Sequence, residues 1–265
     1  MAFFDCHFFS EILGLTVSAH VFVPQQSTGQ IGMTGGKERE KYPTLFLLHG
    51  LSDDHTIWSR RTSIERYAAE KNLAVVMPAV GRSFYQDMAS GPRYWTFISE
   101  ELPVIMQRFF PLSAKREDTF AAGLSMGGYG AIRLGLAKPE SFAAVASLSG
   151  ALDVVRACQT AGRVGGRIGE KEIVSMFGAA LNPAGTDSDL WELARRVAKT
   201  SRLQPEIYLA CGTEDPLLEE NRSFHRHLEE IRLRHIYGES GGTHEWGYWD
   251  AQIRQVLNWL PIKVS

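Results

Sequence analysis

The stretch Ala121–Ala131, AAGLSMGGYGA, places one serine among glycines at the junction of two sequence patterns. TFAA, just before Gly123, is typical of a buried strand, and YGAIRLGLA, just after the glycines, is typical of a helix. Gly123, Ser125 and Gly127 fit G-x-S-x-G, the sharp strand-to-helix turn that presents a nucleophilic serine. A simpler interpretation is that the serine only caps the helix. The flanking strand and helix favour a nucleophile.

Apolar runs like the one before Gly123 recur along the chain and predict further buried strands. They are TLFLLHG at 44–50, LAVVMPA at 73–79, FAAVASLSG at 142–150 and EIYLACG at 206–212, with HIYGES at 235–240 as the last strand. Segments with helical periodicity separate most of them, which is typical of a parallel sheet covered by helices on both faces. Phe8–Pro24 predicts an antiparallel hairpin that turns at Leu13-Gly14. The fold class is therefore α/β, doubly wound.

Helical periodicity predicts five main helices. They span residues 62–71, 93–110, 128–137, 218–234 and 246–259, and Pro103 is expected to kink the second or to mark its first turn. Residues 151–205 depart from the alternation. Within them DSDLWELARRVAK, at 187–199, predicts one more helix with an apolar face, formed by Leu190, Leu193, Ala194 and Val197. We interpret 151–205 as a cap insertion over the sheet edge or the pocket, within a single domain of residues 1–265.

Charge and cysteine content limit the classes of partner. The 28 Lys and Arg nearly balance the 30 Asp and Glu, so a formal net charge of -2 gives no general attraction to nucleic acid or anionic membranes. Cys6, Cys158 and Cys211 are far apart and odd in number, which indicates neither a disulfide framework nor a zinc site. No membrane-spanning run occurs, and the N-terminal residues lack the basic start of a signal peptide. We expect a cytoplasmic protein.

A nucleophilic serine needs a base, and in hydrolases with this elbow the order along the chain is serine, acid, histidine. His244 follows the last predicted strand and precedes the final helix, which is the expected place for the base. Asp215, in CGTEDP directly after the strand at 206–212, is the first candidate for the acid. Glu214 beside it and Asp153 after an earlier strand remain alternatives, because carboxylates after strands also cap helices.

The remaining histidines are assigned structural or surface roles. His225 and His227 lie two residues apart on a charged helix and are expected to be solvated, whereas His7, His20, His55 and His235 lack a partner motif. Trp58, Tyr94, Trp95, Trp246 and Trp249 stand beside the motifs and are expected to be mainly core residues.

An oxyanion hole uses the backbone N–H after the nucleophile and a second N–H from the loop after an earlier strand. Met126 supplies the first amide, and in LFLLHGLSDD the Leu51 amide is the natural second. Gly50 keeps that loop tight, and His49 is expected to shape it through hydrogen bonds without acting as the base.

The motifs HGLSDDHTIW, GLSMGGYGA, YWTFISEELP, CGTEDP and GTHEWGYW together resemble the putative-esterase family, which contains esterase D, S-formylglutathione hydrolases, tributyrin esterases and mycolyltransferases. The resemblance covers nearly the whole chain from Phe8 and implies an α/β-hydrolase fold. At the matching positions it implies Ser125 as nucleophile, Asp215 as acid and His244 as base. It also implies that the amides of Leu51 and Met126 form the oxyanion hole.

Within the family the chain is most similar to the tributyrin esterase branch. The formylglutathione hydrolases carry a cysteine shortly after HGL and a histidine after SMGG, where this chain has Ser52–Asp54 and Tyr129. The branch implies hydrolysis of short-chain acyl esters, acetylated sugars among them, with no metal and no cofactor, by a homo-oligomer. An S-formylglutathione hydrolase and an acyltransferase are the alternatives within the family. A hydrolase fold without activity, used for binding, is the alternative outside it.

Overall fold

Eight strands form one sheet in a computed structural model that describes residues 1–31, 38–160, 168–200 and 202–263. The strands are β1 (Ala2–Ser10), β2 (Leu15–Val23), β3 (Thr44–Leu48), β4 (Ala74–Pro78), β5 (Thr119–Leu124), β6 (Ala144–Leu148), β7 (Glu206–Gly212) and β8 (Ile236–Ser240). Their order is β1-β2-β4-β3-β5-β6-β7-β8. Strand β2 pairs antiparallel with β1 and β4, and all other neighbours are parallel. The predicted α/β-hydrolase fold with an N-terminal hairpin is confirmed.

Ten α-helices connect or flank these strands in the described ranges. They are α1 (Ile57–Arg61), α2 (Ile64–Glu70), α3 (Tyr94–Thr96), α4 (Leu102–Phe109), α5 (Met126–Ala137), α6 (Val154–Gln159), α7 (Glu170–Phe177), α8 (Leu190–Thr200), α9 (Leu218–Glu230) and α10 (Trp246–Trp259). None of them combines the length and the apolar character that crossing a membrane requires.

The central strands β3, β4, β5 and β6 are buried on both faces, and their successive side chains point into two different cores. In β3, Phe46 and Leu48 belong to the core on the side of α5, α8 and α9. Leu45 and Leu47 belong to the core on the side of α1, α2 and α10. This two-sided burial explains why the central strands are continuous apolar runs in the sequence.

The N-terminal hairpin is longer than the sequence predicts. Strand β1 begins at Ala2, six residues before the predicted start at Phe8, and pairs along its whole length with β2. Its first residues are mostly exposed on an outer strand, so Asp5 and His7 interrupt the apolar pattern without interrupting the strand. Burial begins at Phe8, which is where the pattern becomes visible.

The predicted helix at 93–110 contains a local irregularity next to Pro103. Between α3 and α4 the residues Phe97–Glu101 form a turn of π-helix, and Pro103 stands in the first turn of α4. Proline has no N–H to donate to the carbonyl four residues earlier, and a wider π turn accommodates that missing bond. The chain therefore stays helical across the proline.

Residues 151–205 contain α6, α7 and α8, although 161–167 and 201 lie outside the described residues. The predicted apolar face of α8 is buried, and this helix packs against α5 and α9. The division of the chain into one domain with a cap stays a prediction.

Candidate active site

Ser125 lies between the last residue of β5 and the first residue of α5 with φ +53° and ψ −119°. A non-glycine residue rarely adopts such a backbone, and it persists only where neighbouring groups hold it. Here the Ser125 N–H donates to the Leu148 carbonyl at 2.9 Å, and the Ser125 carbonyl accepts from the N–H groups of Tyr129 at 3.2 Å and Ala151 at 3.0 Å. The turn has the form of a nucleophile elbow.

Two glycines of the G-x-S-x-G pattern let strand and helix approach closely. A Cβ on Gly123 would lie 2.3 Å from the Gly127 carbonyl oxygen, and a Cβ on Gly127 would lie 2.4 Å from the Leu48 carbonyl oxygen. Both distances are far below van der Waals contact, and the obstacles are backbone atoms. The spacing of the pattern is thus explained by contact between α5 and the ends of β5 and β3.

Asp215 and His244 come together from two loops at the same edge of the sheet. His244 Nδ1 donates to Asp215 Oδ2 at 2.9 Å, and the Asp215 side chain is fully buried. Burial by itself would raise the pKa of Asp215, but hydrogen bonds from His244 and from the Leu217 N–H, the latter at 2.8 Å, hold that pKa below its usual value. The ionised carboxylate fixes the His244 proton on Nδ1, so Nε2 is left to accept a proton.

The other two candidate acids occupy different positions. Asp153 is the N-cap of α6, and its carboxylate accepts from the Arg156 N–H at 2.8 Å. Glu214 is exposed and accepts from the Gly242 N–H at 2.8 Å, while its own N–H donates to the Gly242 carbonyl at 3.1 Å. Glu214 therefore ties the loop of Asp215 to the loop that leads to His244.

Trp249 and Ser149 support this pair, and sequence reasoning gave neither of them that role. The Trp249 ring packs edge-on against His244 with centroids 4.8 Å apart, and its Nε1–H donates to Ser149 Oγ at 3.1 Å. Ser149 also hydrogen-bonds Asp215 and lowers the pKa of that carboxyl. Trp249 comes from α10 and Ser149 from the end of β6, so their contact depends on tertiary packing that no local pattern reports.

The loop after β3 places Leu51 beside Ser125 and Met126 in the wall of one cavity. His49 orders this loop: its Nδ1–H donates to the Gly50 carbonyl at 2.7 Å, and its Nε2 accepts from the Val80 N–H at 3.1 Å. Burial lowers the pKa of His49 to about 4, so the ring is neutral. Both ring nitrogens are therefore used in hydrogen bonds that hold the loop in place.

The cavity has a volume of about 460 Å³ and is bordered by Ser125 and His244. Its walls are mainly apolar and come largely from α6, α7 and the loops after β3 and β7. Apolar side chains that face it include Leu51, Phe84, Val154, Ala157, Ile173 and Leu217. A pocket of this size and polarity is typical of a small-molecule site.

One carboxyl group in the cavity wall was not singled out from the sequence. Glu220 of α9 is half-buried, and its Oε1 accepts from the Asp153 N–H at 2.7 Å. Burial, and to a smaller extent the charge of Asp153, raise the pKa of Glu220 to about 7. Its sequence context LEEN is typical of a solvated first helical turn, which conceals this environment.

The prediction that His227 is solvated is wrong. His227 is buried, and its Nε2 hydrogen-bonds the Trp191 carbonyl at 3.1 Å. Helix α8 covers this side of α9, so the ring lies between two helices and not at the surface. A strongly charged helix can thus still bury one polar ring on the side that faces a neighbour.

The chain is similar in sequence and in structure to known ester hydrolases. Residues 10–260 match the family described as "Putative esterase". An acetyl esterase of Caldicellulosiruptor saccharolyticus is 30% identical over 267 residues, which cover 100% of both chains. The substrate-bound fluorophosphonate-binding serine hydrolase F of Staphylococcus aureus superposes with a TM-score of 0.87 at 32% identity, covering 98% of each chain. An S-formylglutathione hydrolase from the same organism gives 0.83 at 32% identity and equal coverage.

Proposed function

This chain belongs to the Esterase family and is a carboxylic ester hydrolase, and we propose that it cleaves short-chain acyl esters, acetyl to butyryl, through an acyl-serine intermediate. Acetylated sugars are included among the proposed substrates. The observation that carries the proposal is the 2.9 Å hydrogen bond between His244 and Asp215, together with the position of His244 at the same cavity as Ser125.

In the proposed mechanism Ser125 Oγ attacks the ester carbonyl while His244 Nε2 takes the hydroxyl proton. Asp215 holds the imidazole in the required tautomer and stabilises the imidazolium. The amides of Leu51 and Met126 bind the oxyanion, and each such donor contributes about 3 to 4 kcal/mol to stabilisation of the transition state. The imidazolium then protonates the leaving alcohol, and a water molecule activated by the same histidine releases the acid.

The preference for short acyl groups is supported by the boundaries of the cavity. Side chains of α6 and α7 contribute to its wall, and an apolar cavity of about 460 Å³ suits a few methylene groups better than a lipid chain. The acetyl esterase relative agrees with this preference. Asp153, Thr160 and Glu220 add polar groups to the wall, which suit the hydroxyl groups of a sugar alcohol.

An S-formylglutathione hydrolase is the second candidate, favoured by the structural likeness to the staphylococcal enzyme. The position that holds a histidine in that branch is Tyr129 here. Tyr129 is buried, and its hydroxyl accepts from Gln86 Nε2 and donates to the Ser188 carbonyl, both at 2.8 Å. Its hydroxyl is therefore engaged in the core, which favours the simple acyl ester over the glutathione thioester.

The test is a panel of nitrophenyl esters from acetyl to lauryl, together with acetylated xylose oligomers and S-formylglutathione. We expect kcat/KM to be highest between acetyl and butyryl. The Ser125→Ala variant should be folded and lose at least about 10⁴-fold in kcat, and a serine-directed organophosphonate should label wild type once, at Ser125. A maximum at lauryl or on S-formylglutathione would contradict the proposed substrate class. A label on another residue would contradict the nucleophile.

We also propose one domain with residues 151–205 as its cap, a cytoplasmic location and a homo-oligomer. Helices α6 and α7 contribute to the cavity wall, which supports the cap. Cys6, Cys158 and Cys211 are unpaired, which supports a reducing compartment. Gel filtration with light scattering tests the oligomer, and a monomer at micromolar concentration would contradict it.

A further inference from the structure

A cluster of three histidines and one aspartate lies between the N-terminal hairpin and the loop before α1, and its side chains do not border the cavity described above. Asp5 of β1 stands directly opposite His20 of β2 in the antiparallel register. His55, just before α1, approaches both. One ligand atom from each of these three residues lies within 4.8 Å of the other two. His7, two residues after Asp5 on the same face of β1, points Nε2 toward the same carboxylate.

The distances within this cluster are close to those around a small ion. Asp5 Oδ1 lies 3.8 Å from Nε2 of His20 and 3.8 Å from Nε2 of His55. Ligands of a tetrahedral zinc ion, at bond lengths of about 2.0 to 2.1 Å, are separated from one another by about 3.3 Å. These two separations are too long for direct hydrogen bonds and exceed the tetrahedral edge by about half an ångström, and the ligand atoms of all three residues lie within 4.8 Å of one another.

The hydrogen bonds of His20 determine which ring nitrogen carries the proton. Its Nδ1 lies 2.9 Å from Ser59 Oγ, and the Ser59 hydroxyl donates its own proton to the Thr56 carbonyl at 2.8 Å. Ser59 must therefore accept from His20, so the proton is on Nδ1 and a lone pair on Nε2 faces Asp5. A ring nitrogen held by an outer partner in this way is the usual arrangement for a histidine that binds a metal.

His55 provides an independent observation. Its Nδ1 is buried and has no hydrogen-bond partner in the part of the chain that the structure describes. No hydrogen bond at that atom explains the orientation of the ring, which packs edge-on against His20 with centroids 4.9 Å apart. With its proton on Nδ1, His55 presents a lone pair at Nε2, as His20 does, and both Nε2 atoms face the Asp5 carboxylate. A cation between the three groups would be bound by these two lone pairs and the carboxylate.

We propose that Asp5, His20 and His55 bind one divalent transition-metal ion, Zn²⁺ by preference, with His7 or a water molecule as the fourth ligand. Two imidazoles and one carboxylate suit Zn²⁺ and its neighbours in the first transition row better than Mg²⁺ or Ca²⁺, which prefer oxygen ligands. The sequence pointed away from zinc because only the cysteines were considered. These histidines lie on different elements, and only the hairpin register brings Asp5 to His20.

The ion would have a structural role. It would join β1 and β2 to the loop after β3, and His55 is four residues beyond Leu51 on that loop. Binding an ion only in the folded state stabilises that state. The ester chemistry needs no metal, so this proposal stands or falls separately from the proposed function.

The experiment uses tag-free full-length protein, stripped with a chelator and dialysed against micromolar Zn²⁺. We expect one equivalent of zinc per chain by elemental analysis and a rise in Tm of several degrees, whereas Mg²⁺ should give no shift. Asp5→Asn, at an exposed position, and His55→Gln should each weaken zinc binding by about 100-fold or more. The proposal would be overturned if wild type bound no zinc at this concentration. It would also be overturned if the protein with both Asp5→Asn and His55→Gln kept one equivalent of zinc.

The matched control is His235→Asn. His235 also pairs with a second histidine, because its Nε2 lies 2.7 Å from His225 Nδ1. A direct hydrogen bond of that length already uses the lone pair, so this pair should not bind the ion. Zinc stoichiometry in His235→Asn should equal that of wild type. Loss of zinc from this control with retention in Asp5→Asn would place the ion elsewhere and overturn the proposal.

Discussion

The two walls of the cavity are built in different ways. The wall that carries Ser125 and Met126 is formed where backbone meets backbone, and a single added Cβ on Gly127 would lie 2.4 Å from a carbonyl oxygen of β3. The second wall is formed by side chains of α6, α7 and α9, such as Val154, Ile173 and Glu220. The first wall cannot vary without moving the sheet, whereas the second can change one side chain at a time. We therefore expect the proposed chemistry to depend on the rigid wall, and the fit of the proposed acyl group to depend on the adjustable one.

The strongest way to break this comparison is to replace the acid that supports each wall: Asp215 is the hydrogen-bond partner of His244, and Asp153 is the N-cap of α6. Asp215→Asn keeps the shape of the side chain but stabilises the wrong tautomer of His244, and kcat should fall about 10⁴-fold. Asp153→Asn retains a good N-cap for α6 and should stay within about tenfold of wild type, roughly 1.4 kcal/mol of barrier.

Glu214→Gln is the second control for the acid, because glutamine can still accept from the Gly242 N–H. It too should stay within about tenfold of wild type. Turnover of the three folded variants at neutral pH is the measurement. An active Asp215→Asn beside an inactive Asp153→Asn or Glu214→Gln would show that the triad acid is assigned to the wrong residue.

The next test compares one glycine from each wall. Gly127→Ala forces a Cβ into the backbone of β3 and should destabilise the protein by about 3 kcal/mol or more. Gly169, the N-cap of α7, has φ −73°, and no atom of the described residues lies within 4 Å of an added Cβ, so Gly169→Ala should change stability by less than about 1 kcal/mol. Urea unfolding of both variants measures the difference. Equal losses would contradict the distinction between the walls.

The smallest expected effect concerns Glu220 in the adjustable wall. Its pKa in the folded protein is about 7, against an ordinary value of 4.5, so the folded state holds this proton more tightly than the unfolded state. Stability is therefore lost as pH rises from about 4.5 to 7. In Glu220→Gln this loss disappears, and the Tm difference between variant and wild type should grow by a few degrees across that range and then level off.

The control for this pH effect is Glu219→Gln. Glu219 is the neighbouring residue on α9 and is exposed, so its substitution should give a Tm difference that does not vary with pH in this way. A parallel Tm profile for Glu220→Gln and wild type between pH 4.5 and 7 would show that the Glu220 carboxyl is not held protonated by its surroundings.

The sequence predicted what depends on local pattern. The strand-turn-helix around Ser125, the alternation of strands and helices and the bounds of α10 follow from periodicity and glycine spacing, which act over a few residues. The sequence did not predict the start of β1, because an outer strand needs no apolar alternation where most of its side chains are exposed to solvent.

Other features could not be predicted because they depend on contacts between distant segments. Asp215, Glu214 and Asp153 all follow strands, and only the packing of two loops decides which carboxylate reaches His244. The environments of Glu220 and His227 depend on which neighbour covers each side of α9. The sequence left open whether Pro103 kinks the helix or stands in its first turn, because either geometry accommodates the missing hydrogen bond. In the structure a π turn precedes Pro103, which stands in the first turn of α4.

The positive φ of Ser125 has a cost for the protein as a whole. A non-glycine residue in such a conformation costs about 1 to 3 kcal/mol of folding free energy, and the surrounding hydrogen bonds must offset it. Glycine at this position would relieve that cost and remove the proposed nucleophile. Selection for stability alone would therefore favour glycine here, so under the proposed function the serine is kept for activity at the expense of stability at a single residue.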